Sequence, residues 1–147
     1  MKSNLVQKNH RKSLAQMIMN KAFLNGQFKL RSGRISNLYI DKYAVFSHPQ
    51  LLDTITKYMA SLVPPCVQII AGRGREMGTI PLSIMLSQHT GLECAFIRKE
   101  AKKYGTQRVV EGVDIKGKNV LVLENIATSG GEVMTTTRKL RALGAPL

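Results

Sequence analysis

Val-Leu-Val-Leu-Glu-Asn-Ile-Ala-Thr-Ser-Gly-Gly, residues 120–131, is the stretch on which the fold of this chain turns. Apolar residues up to Leu123 form a run that suits a buried strand. An acid, an amide, two hydroxyls and two glycines follow, and residues 132–143 then read as a helix. In open α/β sheets, ligands sit beyond the carboxyl ends of the strands. Glycines let the backbone approach a ligand closely, and free N–H groups at a helix N-terminus attract phosphate. Thr128 and Ser129 add hydroxyl donors. Glu124 would repel a phosphate but can accept hydrogen bonds from ribose hydroxyls. The pattern therefore points to a sugar-phosphate site. The same residues also fit an ordinary strand-to-helix turn capped by Thr128 and Ser129, and spacing alone leaves both readings open.

Upstream, the chain repeats the strand–loop–helix pattern. Residues 67–71 are an apolar run broken only by Gln68, as expected of a parallel strand buried on both faces. A glycine-rich loop at 72–78 leads to a helix over about 80–88, which Gly91 stops. Residues 94–97 are the next strand. The polar stretch 98–118 shows little periodicity, and loops of that length in compact domains are usually functional or mobile. Residues 119–123 are the last strand. Alternating strands and helices predict an α/β fold with a mostly parallel sheet.

The first third reads differently. Leu14, Met17, Ile18 and Ala22 recur at helical spacing and predict an amphipathic helix over 11–24, ended by Asn25-Gly26. Short strands at 27–30 and 38–40, joined by a turn at Ser32-Gly33, predict a small hairpin hood. Ser47 is placed to cap a further helix with Pro49 in its first turn. Leu51, Leu52, Ile55, Met59 and Leu62 are its apolar face, and Pro64-Pro65 breaks it.

The chain has 147 residues, of which 44% are hydrophobic. That is enough for one core, so a single domain is expected, with a hood at about 1–45 and a core at about 46–147. No apolar run is long enough to span a membrane. The basic first twelve residues are not followed by a signal-peptide core, so a cytoplasmic protein is expected. Cys66 and Cys94 lack metal-ligand spacing and sit among apolar neighbours, which predicts buried free thiols. His10, His48 and His89 are isolated in sequence, with no metal spacing. Met17, Met19, Met59, Met77 and Met85 read as core or filler. The net charge is +13, from 22 basic and 9 acidic residues. Nine of those bases and one acid, Asp41, fall in the first 42 residues. A second cluster is Arg98, Lys99, Lys102, Lys103 and Arg108. Such an excess favours polyanionic partners, nucleic acid or phosphorylated small molecules, although a solvated basic face fits the first cluster equally well.

Residues 120–131 resemble the phosphoribosyl-pyrophosphate (PRPP) motif of the type I phosphoribosyltransferases: an apolar strand, two acids, two apolar residues, Thr-Thr or Thr-Ser, then Gly-Gly. The resemblance implies the type I phosphoribosyltransferase fold, a mostly parallel sheet flanked by helices with a small N-terminal hood. It puts Glu124 and Asn125 against the ribose 2′ and 3′ hydroxyls. Ile126 and Ala127 are the apolar pair, and Thr128, Ser129, Gly130, Gly131 and Glu132 wrap the 5′-phosphate. Two positions depart from the motif. Asn125 replaces the second acid, and Glu132 stands where relatives carry a hydroxyl or amide, so its carboxylate must point away from the phosphate.

Residues 98–112, Arg-Lys-Glu-Ala-Lys-Lys-Tyr-Gly-Thr-Gln-Arg-Val-Val-Glu-Gly, resemble the mobile catalytic loop of the orotate phosphoribosyltransferases. This match separates the orotate enzymes from the rest of the superfamily. It implies that Arg98, Lys99, Lys102, Lys103 and Tyr104 bind PRPP, with Lys99 and Lys102 acting in catalysis beside Glu124 and Asn125. It also implies a homodimer in which the loop reaches the neighbouring subunit's site. Residues 28–36 and the following Leu-Tyr-Ile-Asp-Lys-Tyr resemble the hood of the same enzymes. That likeness puts Arg31 on PRPP, and Tyr39 and Ile40, together with Thr128, near orotate. Residues 71–81 resemble the pyrophosphate loop more loosely, with about two extra residues near 72–75. The implied reaction joins PRPP and orotate into orotidine 5′-monophosphate and pyrophosphate, in pyrimidine (UMP) biosynthesis, with Mg²⁺ and no direct protein ligand to the metal. The family runs on well beyond Ala145, so a C-terminally incomplete fold is expected, lacking an Arg for the orotate carboxylate. The alternative is a catalytically impaired relative that binds PRPP, nucleotides or nucleic acid as a regulator. The intact loop at 98–112 speaks against it.

Overall fold

The computed structural model describes residues 2–30, 32–73, 77–127 and 130–146, with side chains from Arg11 onward. The chain divides into two compact units, Met1–Ile55 and Thr56–Leu147.

In the first unit, α1 (Lys2–Ala22) runs into an antiparallel hairpin of β1 (Phe23–Lys29) and β2 (Ile35–Ile40), followed by α2 (Lys42–Phe46) and the start of α3 (Pro49–Ala60). Ala22, Val45 and Leu51 are its buried centre, with Leu14, Ile18, Phe23, Phe46 and Ile55 packed on them. Leu14, Ile18 and Ala22 thus form the expected helical stripe, but Met17 faces solvent, as do Met19 and Met77.

The helix ends at Ala22 rather than at Asn25-Gly26. Those two residues lie inside β1, where the register slips between Asn25 and Phe28. Pairing decides this: Phe23 lies opposite Ile40, and the Asp41 N–H donates to the Ala22 carbonyl at 2.7 Å. α2 had no sequence signal long enough to read. Asp41 starts it, its carboxylate accepting from the N–H groups of Tyr43 and Ala44 at 3.0 and 3.3 Å. Ser47 closes α2 instead of opening α3. His48 opens α3, taking the Leu51 N–H on Nδ1 at 3.4 Å and on its carbonyl at 3.1 Å. Leu62 lies beyond the end of α3 and is exposed.

The second unit holds a four-stranded sheet in the order β5-β4-β3-β6. β3 (Ile69–Arg73), β4 (Glu93–Ile97) and β6 (Val120–Leu123) run parallel, and β5 (Val110–Glu111) is antiparallel to β4. α4 (Thr79–Thr90) and α5 (Gly131–Ala142) are the helices. Alternation along β3 feeds two cores. Ile69 and Ala71 join Ala95, Ile97, Ile115, Val120, Leu140 and Ala145, whereas Ile70 joins Leu86 and Leu123. Each fully buried Ile or Leu contributes about 1.5–3 kcal/mol, which is why the strand reads as an unbroken apolar run. β6 ends the strand order, and the Val120 N–H donates to the Pro146 carbonyl at 3.2 Å.

β3 starts two residues later than the apolar run at 67–71 and takes in Gly72 and Arg73. Gly72 pairs with Phe96 on one side and Leu123 on the other. A Cβ there would lie 2.1 Å from Ser83 Oγ, so only glycine lets α4 pack this closely. The polar stretch 98–118 contains β5, closed at its neck by Arg98 N–H to Val109 O at 2.8 Å. The glycine after it is also forced. Gly112 has φ +95°, and a Cβ would lie 2.8 Å from the Cys94 carbonyl oxygen.

Both cysteines are free thiols, but Cys66 is exposed and Cys94 half-buried. Cys66 follows Pro64-Pro65 in an irregular segment, so its apolar neighbours do not enclose it. Burial pushes the Cys94 thiol up, against a smaller lowering by a hydrogen bond with Ser83. Since the thiolate is the nucleophile, iodoacetamide at mildly alkaline pH should modify Cys66 first. Peptide mass spectrometry would check it, and equal labelling of Cys94 would contradict the packing.

Candidate active site

Because β3, β4 and β6 are parallel, Arg73, Arg98 and Glu124 stand together at or just past the carboxyl ends of three strands. Arg73 is the hub. Its side chain is only 10% exposed. Nη1 donates to Glu124 Oε2 at 3.3 Å, and Nη2 lies 2.7 Å from Glu132 Oε2. The two carboxylates come from opposite ends of the β6–α5 loop. Glu124 follows β6 and is largely buried; Glu132, in the first turn of α5, is mostly exposed. Glu124 Oε1 also accepts the Asn125 N–H at 3.1 Å. The Thr79 hydroxyl donates to the Arg73 carbonyl, tying the start of α4 to the same strand end.

Asn125 carries the open valences. Its Oδ1 and Nδ2 are both buried, and neither has a hydrogen-bond partner among the described residues. Buried amides are nearly always satisfied. A donor and an acceptor left open beside a carboxylate match what a sugar diol supplies. Ile126 and Ala127 follow, exposed, and Gly130 stands at the N-cap of α5.

The basic loop begins at β4 and returns at β5. Glu111 holds its neck: Lys102 Nζ lies 2.7 Å and Arg98 Nη1 3.8 Å from its Oε1. Lys99 Nζ is 3.7 Å from Glu100, while the Lys99 carbonyl accepts from Lys139 Nζ of α5 at 2.8 Å. Lys103 and Tyr104 are exposed. A cavity of about 480 Å³ opens beside the neck, lined by Ile80, Phe96, Ile97, Arg98, Lys99, Glu100 and Glu111.

The hydrogen bond from Lys102, with smaller contributions from the Lys102, Arg98 and Arg108 charges, holds the Glu111 carboxyl below the usual range. A depressed pKa gives stability that is fully present above the unfolded value, about 4.3 for glutamate, and is lost as pH falls through the folded value. The loop neck should therefore loosen only below about pH 4. Limited proteolysis at 98–111 with an acid-active protease would read this. Lys102→Ala should move the onset to higher pH, and an unchanged onset would refute the assignment.

Glu124, Asn125 and Glu132 thus gather around one strand end, and Arg98, Lys99 and Lys102 around the next. Tyr39 and Ile40 lie exposed on β2 in the first unit, where Tyr39 stacks on Phe28 at 5.3 Å between ring centroids. Arg31, Thr128 and Ser129 lie outside the described residues. The sequence puts Arg73 among the extra arginines of the loosely matched pyrophosphate loop, where they could help hold pyrophosphate, but does not show its pairing with Glu124 and Glu132, Glu111 as the anchor of the loop, or Lys139. Of the last two, only Glu111 had a signal, as part of the closing Glu-Gly. Among the described residues, no His, Cys, Asp and Glu group of three or more could cage a metal. No helix there is long and apolar enough to cross a membrane.

No family model matches the chain. Curated relatives do. An orotate phosphoribosyltransferase from Nocardioides sp. is 42% identical over 122 residues, covering 83% of this chain and 67% of the relative. One from Methanopyrus kandleri is 33% identical over 136 residues, covering 92% and 72%. This chain belongs to the orotate phosphoribosyltransferase family. The crystal structure of Mycobacterium tuberculosis H37Rv orotate phosphoribosyltransferase in complex with Fe(III) dicitrate superposes with a TM-score of 0.79 at 26% identity, covering 92% of this chain and 78% of that one. The sheet described above is accordingly the type I phosphoribosyltransferase sheet.

Proposed function

We propose that this orotate phosphoribosyltransferase-family chain binds PRPP across Glu124, Asn125 and residues 126–132, and transfers its phosphoribosyl group to orotate. The products are orotidine 5′-monophosphate and pyrophosphate. The observation that carries this reading is the Asn125 amide, buried and open at both atoms beside the Glu124 carboxylate. In this reading Glu124 and Asn125 hold the ribose 2′ and 3′ hydroxyls. Residues 128–132 take the 5′-phosphate, with Gly130 and Gly131 at the α5 N-terminus offering backbone N–H groups.

Bond breaking at ribose C1 builds positive charge on the ring and negative charge on the departing pyrophosphate. No covalent nucleophile is needed, and positioning with electrostatic stabilisation suffices. The Glu124 carboxylate faces the ribose charge. Arg98, Lys99, Lys102 and Lys103 meet the pyrophosphate once the loop closes, with Tyr104 beside it. Lys102 must exchange Glu111 for pyrophosphate, so loop closure starts by breaking the 2.7 Å pair. Closure also keeps water from the ribose. Arg31 serves PRPP, and Tyr39, Ile40 and Thr128 serve orotate.

The donor set fits Mg²⁺ that arrives on PRPP, since such ions keep several waters and use few carboxylates. Glu124 and the Asn125 Oδ1 would hold it through the ribose hydroxyls, and bound Mg²⁺ spreads the charge of the leaving group. The working form in this reading is a cytoplasmic homodimer.

Titration of PRPP with Mg²⁺ into the protein, followed by calorimetry, tests the site. Saturable binding that Glu124→Gln weakens by about tenfold or more supports it. Absence of binding by a folded protein would remove it.

A further inference from the structure

Arg73 belongs to no part of the PRPP motif, yet its guanidinium touches both ends of the loop that carries it. We infer that Arg73 is a positioning residue that pairs with Glu124 and Glu132, drawing the Glu132 carboxylate toward β3 and cancelling the charge it brings to the phosphate end. The inference rests on the reading of residues 124–132 as the PRPP loop.

Three observations carry it. First, a buried cation needs partners, because desolvation is costly unless charge and hydrogen bonds compensate. Arg73 finds two carboxylates, one on each side of the loop. Second, the planar fork suits this role: its two terminal nitrogens address two separate carboxylates, which a lysine ammonium on a single point cannot do with the same geometry. Third, Arg73 sits on a rigid base. It is the last residue of β3, paired with Ile97, and its carbonyl receives the Thr79 hydroxyl. Nη1 and Nη2 each hold a carboxylate, and Arg73 acts through them.

The clamp also accounts for Glu132 in a phosphate loop. With the guanidinium 2.7 Å away, the carboxylate is drawn toward β3 and its charge offset. With that pair lost, less positive charge offsets Glu132 as the 5′-phosphate arrives, and the repulsion between Glu124 and Glu132 across the loop is no longer bridged.

The test is a double-mutant cycle read as the PRPP dissociation constant, with Mg²⁺, by calorimetry on the whole chain. Circular dichroism confirms the folding of each variant. Arg73→Met should weaken binding about tenfold or more, and adding Glu132→Gln should bring it back to within about threefold of the parent. Glu132→Gln alone completes the cycle, and the coupling is read from the four dissociation constants. A purely structural Arg73 would leave the double variant as weak as the single one, and that result would overturn the clamp. Unchanged binding by a folded Arg73→Met variant would overturn it too. Should Arg73→Met not fold, Arg73→Lys and Arg73→Lys with Glu132→Gln read the same cycle. A loss of about threefold or more that the second change reverses supports the clamp, and no loss overturns it. If the parent chain binds no PRPP, the site reading falls and the clamp with it; if the parent binds and the cycle shows no coupling, the clamp alone falls.

Discussion

Glu124→Gln should lower kcat/KM for PRPP by about 100-fold, a loss of about 2.7 kcal/mol in transition-state stabilisation. The substitution keeps shape and hydrogen-bonding capacity and removes one charge. Here the pair is Glu124 and Asn125, so the first position supplies the only charge of the two. The carboxylate is largely buried and held on both oxygens, by Arg73 and by the Asn125 N–H, so it is oriented before substrate arrives. Preorganised charge in a water-poor site is worth more than the same charge in solvent. Glutamine would still receive the Arg73 donor, and the melting temperature should move by only a few degrees. Initial rates at varied PRPP should show the fall divided between a higher KM and a lower kcat, about tenfold in each. A variant within about threefold of the parent would mean that Glu124 does not face the reacting ribose.

Gly72→Ala destabilises the second unit by about 1–3 kcal/mol, lowering Tm by about 3–10 °C for a chain of this size. The new methyl would sit 2.1 Å from Ser83 Oγ and 3.0 Å from Ser83 Cβ, with the Thr79 carbonyl oxygen at 3.3 Å. Ser83 is fully buried, and its hydroxyl donates to Thr79 O at 2.7 Å, so it has no free space to enter. Relief must come from shifting α4 away from β3, and α4 carries Thr79, which is hydrogen-bonded to Arg73. Adding Ser83→Ala should recover part of the loss. Thermal melts of the single and double variants check both statements. An unchanged Tm in Gly72→Ala would show that β3 and α4 do not pack as described.

The strand–loop–helix at 120–131 was legible because three levels agree there. The apolar run, the glycines and the following helix each point to the same element, and the structure returns β6, the loop and α5 within a residue or so of the reading. The parallel sheet followed from the apolar runs at 67–71 and 119–123, which hold one polar residue each, Gln68 and Asn119. Misreadings share one cause, since each depended on a partner distant in the chain. Asn25-Gly26 carries a helix-stop signal, but pairing of Phe23 with Ile40 had already ended the helix. β5 is two residues long and exists only because Phe96 and Ile97 lie beside it. Cys66 has apolar neighbours in sequence, not in space. The candidate site divides in the same way. Glu124, Asn125 and the basic loop carry recognisable local patterns. Arg73 reads as one more base in a glycine-rich loop until β3 is seen to extend through it, 51 residues from Glu124 in sequence.

Orotate transfer is the central claim, and consumption of orotate followed by absorbance is its most direct measurement. The purified chain would be mixed with orotate, PRPP and Mg²⁺, with a second reaction lacking PRPP. The account predicts a fall in orotate absorbance that requires both PRPP and Mg²⁺, with orotidine 5′-monophosphate and pyrophosphate formed in equal amounts. A folded chain that binds PRPP yet leaves orotate unconsumed would contradict it.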